Sequence, residues 1–82
     1  MSYQEREISR DVLEKYLRVL DSDEGLRIEN KGEVIFINKT SRRYCIDMSK
    51  DGQDVFLYMN DFSEVLNFLA DKIVSSSRIF SY

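Results

Sequence analysis

Asp47, Ser49 and Asp51, followed by Gly52, place three oxygen donors at alternate positions ahead of a glycine, the spacing of the first half of a calcium-binding loop. The second half does not follow. Asp54 stands where an apolar residue belongs, and Tyr58 where a bidentate glutamate would close the shell. The flanks read as strands rather than helices, so no metal site is expected. Asp47 and Asp54 could pair as acid and base, but nothing in the surrounding sequence suggests a pocket around them. Cys45 is the only cysteine, which rules out an internal disulfide, and no motif around it marks an activated thiol. The chain has no histidine, hence neither the commonest general base nor the commonest metal ligand. Zinc sites and Ser-His or Cys-His nucleophile pairs are excluded. The expectation is a protein that is not an enzyme and carries no cofactor.

Binding chemistry is better represented. Arg42 and Arg43 precede Tyr44, and Phe36, Phe56 and Tyr58 sit in alternating runs, a composition that suits single-stranded RNA stacking on a sheet. The glycine-and-aromatic pattern of the common RNA-binding module is missing, and Glu29, Asp47 and Asp54 would repel phosphates on the same surface. Nucleic acid is therefore a minor reading. A second cluster, Asp21, Asp23 and Glu24, falls in one connection and equals in size the formal net charge of −3. Acids just past a helix C-terminus face the negative end of its dipole, a weak hint that they are kept for another reason. A small, mildly acidic chain also suits a viral or mobile-element inhibitor of a host nucleic-acid enzyme, with these three carboxylates occupying a phosphate-binding groove.

The elements that position these residues follow from periodicity. Ser2-Tyr3-Gln4-Glu5 fits a capping box, and Ile8, Val12, Leu13, Tyr16, Leu17 and Leu20 recur at helical spacing, predicting a helix over about 3–20. Ser9 followed by Asp11 is a second possible start, and Gly25 a plausible stop. Strands are expected over about 26–30, 33–38, 43–48 and 54–59, with turns at Lys31-Gly32 and Asp51-Gly52; Asp-Gly between alternating runs is a strong hairpin signal. Loops this short demand antiparallel pairing. Asp61 as N-cap with Glu64 at N3 opens a second helix over about 61–74, striped by Phe62, Val65, Leu66, Leu69 and Ile73. The remaining 75–82 form a tail whose Ile79, Phe80 and Tyr82 should dock somewhere, whether as a fifth strand on a sheet edge or across the outer sheet face. The fold class is thus α+β, a single domain over 1–82: a four-stranded antiparallel meander with two helices on one face, in the order α-β-β-β-β-α. Four strands span roughly 19 Å, which two helices of about 10 Å diameter just cover.

Turn geometry then sorts the faces. A two-residue turn at Asp51-Gly52 sets Ser49 against Asp54, Met48 against Val55, Ile46 against Leu57 and Tyr44 against Met59, assigning Tyr44, Ile46, Met48, Val55, Leu57 and Met59 to the core. A connection from Lys39 to Arg42 puts Ile37 against Tyr44 and Ile35 against Ile46, while Lys31-Gly32 puts Ile28 against Ile35. The opposite face is left with an aromatic patch and a charged rim. Val34, Phe36, Arg43, Cys45, Phe56 and Tyr58 are the candidate partner-binding residues, since aromatics with arginine are the usual composition of contact hot spots. The function read from the sequence is a non-catalytic protein–protein interaction or regulatory module that binds another protein, or itself as a dimer, through this face. No apolar run approaches the roughly 20 residues of a membrane span, and the first seven residues are charged where a secretory signal would be apolar. A cytoplasmic location and no membrane partner are expected.

Overall fold

A computed structural model describes residues 5–82. The elements are β1 (Arg6–Ile8), a 3-10 turn (Arg10–Val12), α1 (Leu13–Arg18), β2 (Gly25–Asn30), β3 (Glu33–Lys39), β4 (Tyr44–Lys50), β5 (Gln53–Met59), α2 (Phe62–Leu69) and β6 (Arg78–Ser81). All pairings are antiparallel, in the spatial order β1-β6-β2-β3-β4-β5. The α+β class, the antiparallel sheet and the two helices are as the sequence implies. The strand number is not: among the described residues the sheet has six strands, not four.

One addition comes from the start of the expected first helix, the other from the tail, for which an edge strand is one of the expectations. The expected helix over 3–20 yields a strand at its start, because Arg6, Glu7 and Ile8 pair with Ser81, Phe80 and Ile79. The expected capping box begins at Ser2, outside the described residues. Ser9, extended at φ −84° and ψ 158°, is the cap residue from which the helical region starts. The tail is β6, and it lies inside the sheet between β1 and β2 rather than at an edge. Tertiary pairing overrides helical periodicity here, as it often does for a short segment. Since β1 and β2 both run antiparallel to β6, β1-α1-β2 is a parallel crossover with β6 inserted between its strands.

The meander β2-β3-β4-β5 keeps two of its expected registers and shifts one. Ile28 faces Ile35, and Met48 faces Val55, as turn chemistry requires. Asp51 and Gly52 both have positive φ, 54° and 78°, the conformation of a type I′ turn. Between β3 and β4, however, Lys39 rather than Ile37 faces Tyr44, and Ile37 faces Ile46. The connecting loop runs over 40–43, held by Thr40 and Arg43 through N–H to C=O and hydroxyl contacts of 2.8–3.2 Å. A slip of two residues keeps every side chain on its face, so the core survives the correction.

That core lies between the sheet and the two helices. Leu13, Leu17 and Leu20 meet Val65, Leu69 and Ile73 over Leu26, Ile28, Ile35, Ile37, Ile46 and Ile79, all buried. The Tyr44 hydroxyl donates to the Leu17 carbonyl at 2.5 Å, fixing α1 to the sheet. Burial, with the Asp61 charge nearby, pushes its phenol up. Val55 departs from the expected core set. It is 49% exposed because β5 is an edge strand that the helical layer does not fully cover. α2 is capped by Asp61, which accepts from the Glu64 amide at 3.0 Å, and stops at Leu69 rather than near 74. Beyond it, Asn30 donates to the Lys72 carbonyl at 2.9 Å and accepts from Ser77, whose hydroxyl also accepts from the Val74 amide. The serine run is therefore a pinned turn that feeds β6 into the sheet.

Candidate interaction surface

No described helix covers the second face of the sheet, so cross-strand register decides what the described residues display there. One row runs across all six strands: Glu7, Phe80, Arg27, Phe36, Asp47, Phe56. The adjoining row is Tyr82, Gly25, Asn38, Cys45, Tyr58. Of the residues proposed from sequence, Val34, Phe36 and Cys45 are half-buried, while Arg43, Phe56 and Tyr58 are exposed. All belong to this face. The Arg43 guanidinium lies 5.5 Å from the Tyr58 ring centre, within cation–π range. The register shift moves every β3 neighbour on this face: Phe36, not Val34, flanks Asp47 opposite Phe56, and Asn38, not Phe36, stands beside Cys45.

The two ends of the face differ in electrostatics. Toward β1, each arginine has a carboxylate beside it, although Arg27 Nε, 3.1 Å from Glu29, is shielded from solvent without a hydrogen bond of its own. Arg27 stacks on Phe80 at 4.5 Å, bonds Glu5 and meets Glu29 at 3.1 Å. Arg78 lies 5.0 Å from the centre of the same ring and bonds Glu7 through two nitrogens at 3.0 and 3.2 Å. That hydrogen bond holds the Glu7 carboxyl below its ordinary range and the Arg78 guanidinium above its own. Toward β5, no described cation pairs with Asp47. Its Oδ1 is closed off from solvent and has no hydrogen-bond partner. Desolvation by burial, then repulsion from Asp54, pushes its carboxyl up.

β5 is also a free edge. Its ladder with β4 runs unbroken from Gln53 to Met59, so no bulge twists it away. It contains no proline or lysine, the usual edge protections. Phe56 and Tyr58 are 56% and 60% exposed. Because the two-residue turn makes Lys50 and Gln53 the first hydrogen-bonded pair, alternation directs the N–H and C=O groups of Asp54, Phe56 and Tyr58 away from β4. The other edge, β1, is only three residues long.

Sequence reasoning missed Phe80 and Tyr82 as members of the face. The signal was the alternation in Arg78-Ile79-Phe80-Ser81-Tyr82, which sends Ile79 to the core and its neighbours outward. The segment extends the face instead of covering it. The Tyr82 ring occupies the space above Gly25, where a Cβ would meet it at 2.6 Å. Asp21, Asp23 and Glu24 are exposed in the turn between α1 and β2, where Glu24 accepts from the Asp21 amide at 2.9 Å. A depression of about 460 Å³ lies beside them, bordered by Tyr16 and Tyr82, away from the aromatic end of the face. Asp47 and Ser49 lie within strand β4 on the outer face, not in a metal-binding loop. No group of three acidic, cysteine or histidine side chains among the described residues could hold a metal ion, and no helix among them is long and apolar enough to cross a membrane.

Comparisons with family models, with curated proteins and with solved structures find no match for this chain.

Proposed function

We propose that the chain is a non-catalytic interaction module that binds another protein through the outer face of β3, β4 and β5. The observation that carries this reading is Phe56 and Tyr58, more than half exposed beside Phe36 on a face that no described element covers. Exposed, contiguous aromatics bordered by charge are typical of contact sites. The charge balance disfavours nucleic acid on the same surface. Glu5, Glu7, Glu29, Asp47 and Asp54 stand against Arg27, Arg43 and Arg78, and two of those arginines already bind glutamates. A cytosolic setting belongs to the proposal, motivated by the single free thiol of Cys45.

The test is site-specific photo-crosslinking in the native cell, with a photoreactive phenylalanine analogue at position 56 or at Val74, exposed outside this face. Capture of one defined protein from position 56, lost with Phe36→Ala, supports the reading. Equal capture from both positions, together with a monomeric mass in sedimentation, would overturn it.

A further inference from the structure

The row through Phe56 ends at an open edge, and the opposite end of that row shows how such an edge is completed. There, Arg27 on β2 reaches across the ring of Phe80 on the next strand to a carboxylate beyond it, Glu5. The order is cation, phenylalanine, carboxylate, with the cation on β2, the ring on β6 and the carboxylate just ahead of β1. At the β5 end, Phe56 and Asp47 stand in the same order with no described strand beyond Phe56, while on the other side of Asp47 the row's own cation, Arg27 beyond Phe36, is engaged by Phe80, Glu5 and Glu29. One oxygen of the half-buried Asp47, Oδ1, is out of contact with water and unpaired, and a guanidinium or ammonium would satisfy it.

We propose that β5 takes up an extended segment of a partner protein as a seventh strand, and that an arginine or lysine of that segment crosses the Phe56 ring to bind Asp47. This rests on the outer face being the binding surface and adds the partner's conformation and chemistry. Main-chain bonds to the outward groups of Asp54, Phe56 and Tyr58 supply affinity, and the basic side chain supplies specificity, the usual division in strand addition. A second copy of this chain is the poorer occupant. On this face its β5 offers Asp54, Phe56 and Tyr58, none of them a cation, and it brings another acid toward Asp47.

The probes are linear nine-residue peptides selected from a displayed library on the intact chain, followed by amide hydrogen exchange on the complex. The selected peptides should share one arginine or lysine. Binding should slow exchange at Asp54, Phe56 and Tyr58 while leaving Val55 and Leu57, already bonded to β4, unchanged. Asp47→Asn should weaken the basic peptide about tenfold, and should not weaken the same peptide with norleucine at the basic position. Asp54→Pro should weaken binding more than Asp54→Asn, because only proline removes a ladder donor. Peptides that bind through Phe36 and Phe56 without protecting those amides, or without a basic preference, overturn the seventh strand and leave the face reading intact. Protection of the same amides in a peptide-free dimer assigns the edge to a second copy and overturns the proposal. No selection above a Phe36→Ala, Phe56→Ala variant also overturns it, while crosslinking at position 56 decides the broader reading separately.

Discussion

At Asp47, a carboxylate sits between two phenylalanine positions with one oxygen unpaired, so its charged form is penalised in the folded state. A carboxyl raised above its unfolded value takes up its proton first in the folded chain. Stability therefore rises as pH falls through the Asp47 value and is lower where the group is ionised in both states. Asp47→Asn should stabilise the free chain at neutral pH by on the order of 0.5 kcal/mol, kept small by solvent screening. The gain should vanish at acid pH in urea titrations, and a loss at pH 7 would contradict the desolvation argument. Asp61 has the opposite sign. The Glu64 amide and the Ser63 hydroxyl hold it below the ordinary carboxyl range, so its stabilisation is present above the unfolded value and is lost as pH falls through the folded one. Asp61→Ala should lower the melting midpoint at pH 7 and flatten the acid side of the pH profile. Gly25 carries a steric prediction. A methyl there would meet Tyr82 at 2.6 Å and Asn38 at 2.8 Å, and Tyr82 is the side chain able to move. Gly25→Ala should cost about 1–2 kcal/mol, largely recovered in a double-mutant cycle with Tyr82→Ala.

Among the elements, β6 is the one whose loss the sheet cannot absorb. Ile79 is 3% exposed and flanked by Ile8 and Ile28. Ile79→Ala should cost about 2–5 kcal/mol, measurable as a shift in urea midpoint; a shift below about 1 kcal/mol would mean that β6 is not seated as described. The legibility of the fold divides at the same place. The hairpins β2-β3 and β4-β5 could be read because their turns, Lys31-Gly32 and Asp51-Gly52, fix register locally. The two-residue slip between β3 and β4 went unread because a four-residue loop tolerates either pairing. β1 was not legible because it is not a strand on its own, whereas the alternation in 78–82 offers β6 as a strand and gives no sign of its place inside the sheet. Arg6-Glu7-Ile8 becomes extended only beside Ser81-Phe80-Ile79, more than 70 positions away, and no local signal records such a partner. The candidate surface was legible to the extent that alternation decides faces: Val34, Phe36, Cys45, Phe56 and Tyr58 all fall where it puts them. The unpaired state of Asp47 depends on which residue stands opposite it, and so required the true register.

For the whole molecule, the order of assembly follows from these separations. The hairpins close over short loops, whereas β6 must wait for the rest of the sheet, since long loops delay contacts that only then become favourable. Substitutions in the central hairpins should act on folding and those in β6 on unfolding. Ile35→Val, at about 1 kcal/mol, should mainly lower the folding rate, and Ile79→Ala should mainly raise the unfolding rate, as read from the two arms of a chevron. Equal effects on both arms at position 79 would place β6 in the folding nucleus. The formal charge of −3, with a sequence pI near 4.9, sets the conditions for that measurement. Solubility should be lowest near pH 5, where an open apolar edge is least restrained by mutual repulsion.

The pairing of Arg6 with Ser81, and of Gly25 with Tyr82, brings both ends of the described chain out at one corner of the sheet. Tension applied between those ends loads the β1-β6 ladder from its last rung, so its hydrogen bonds break in succession instead of sharing the load. A protein held by a partner at β5 and pulled at its termini would open first at the corner farthest from that grip, leaving the bound edge and its aromatic row in place while the far side gives way.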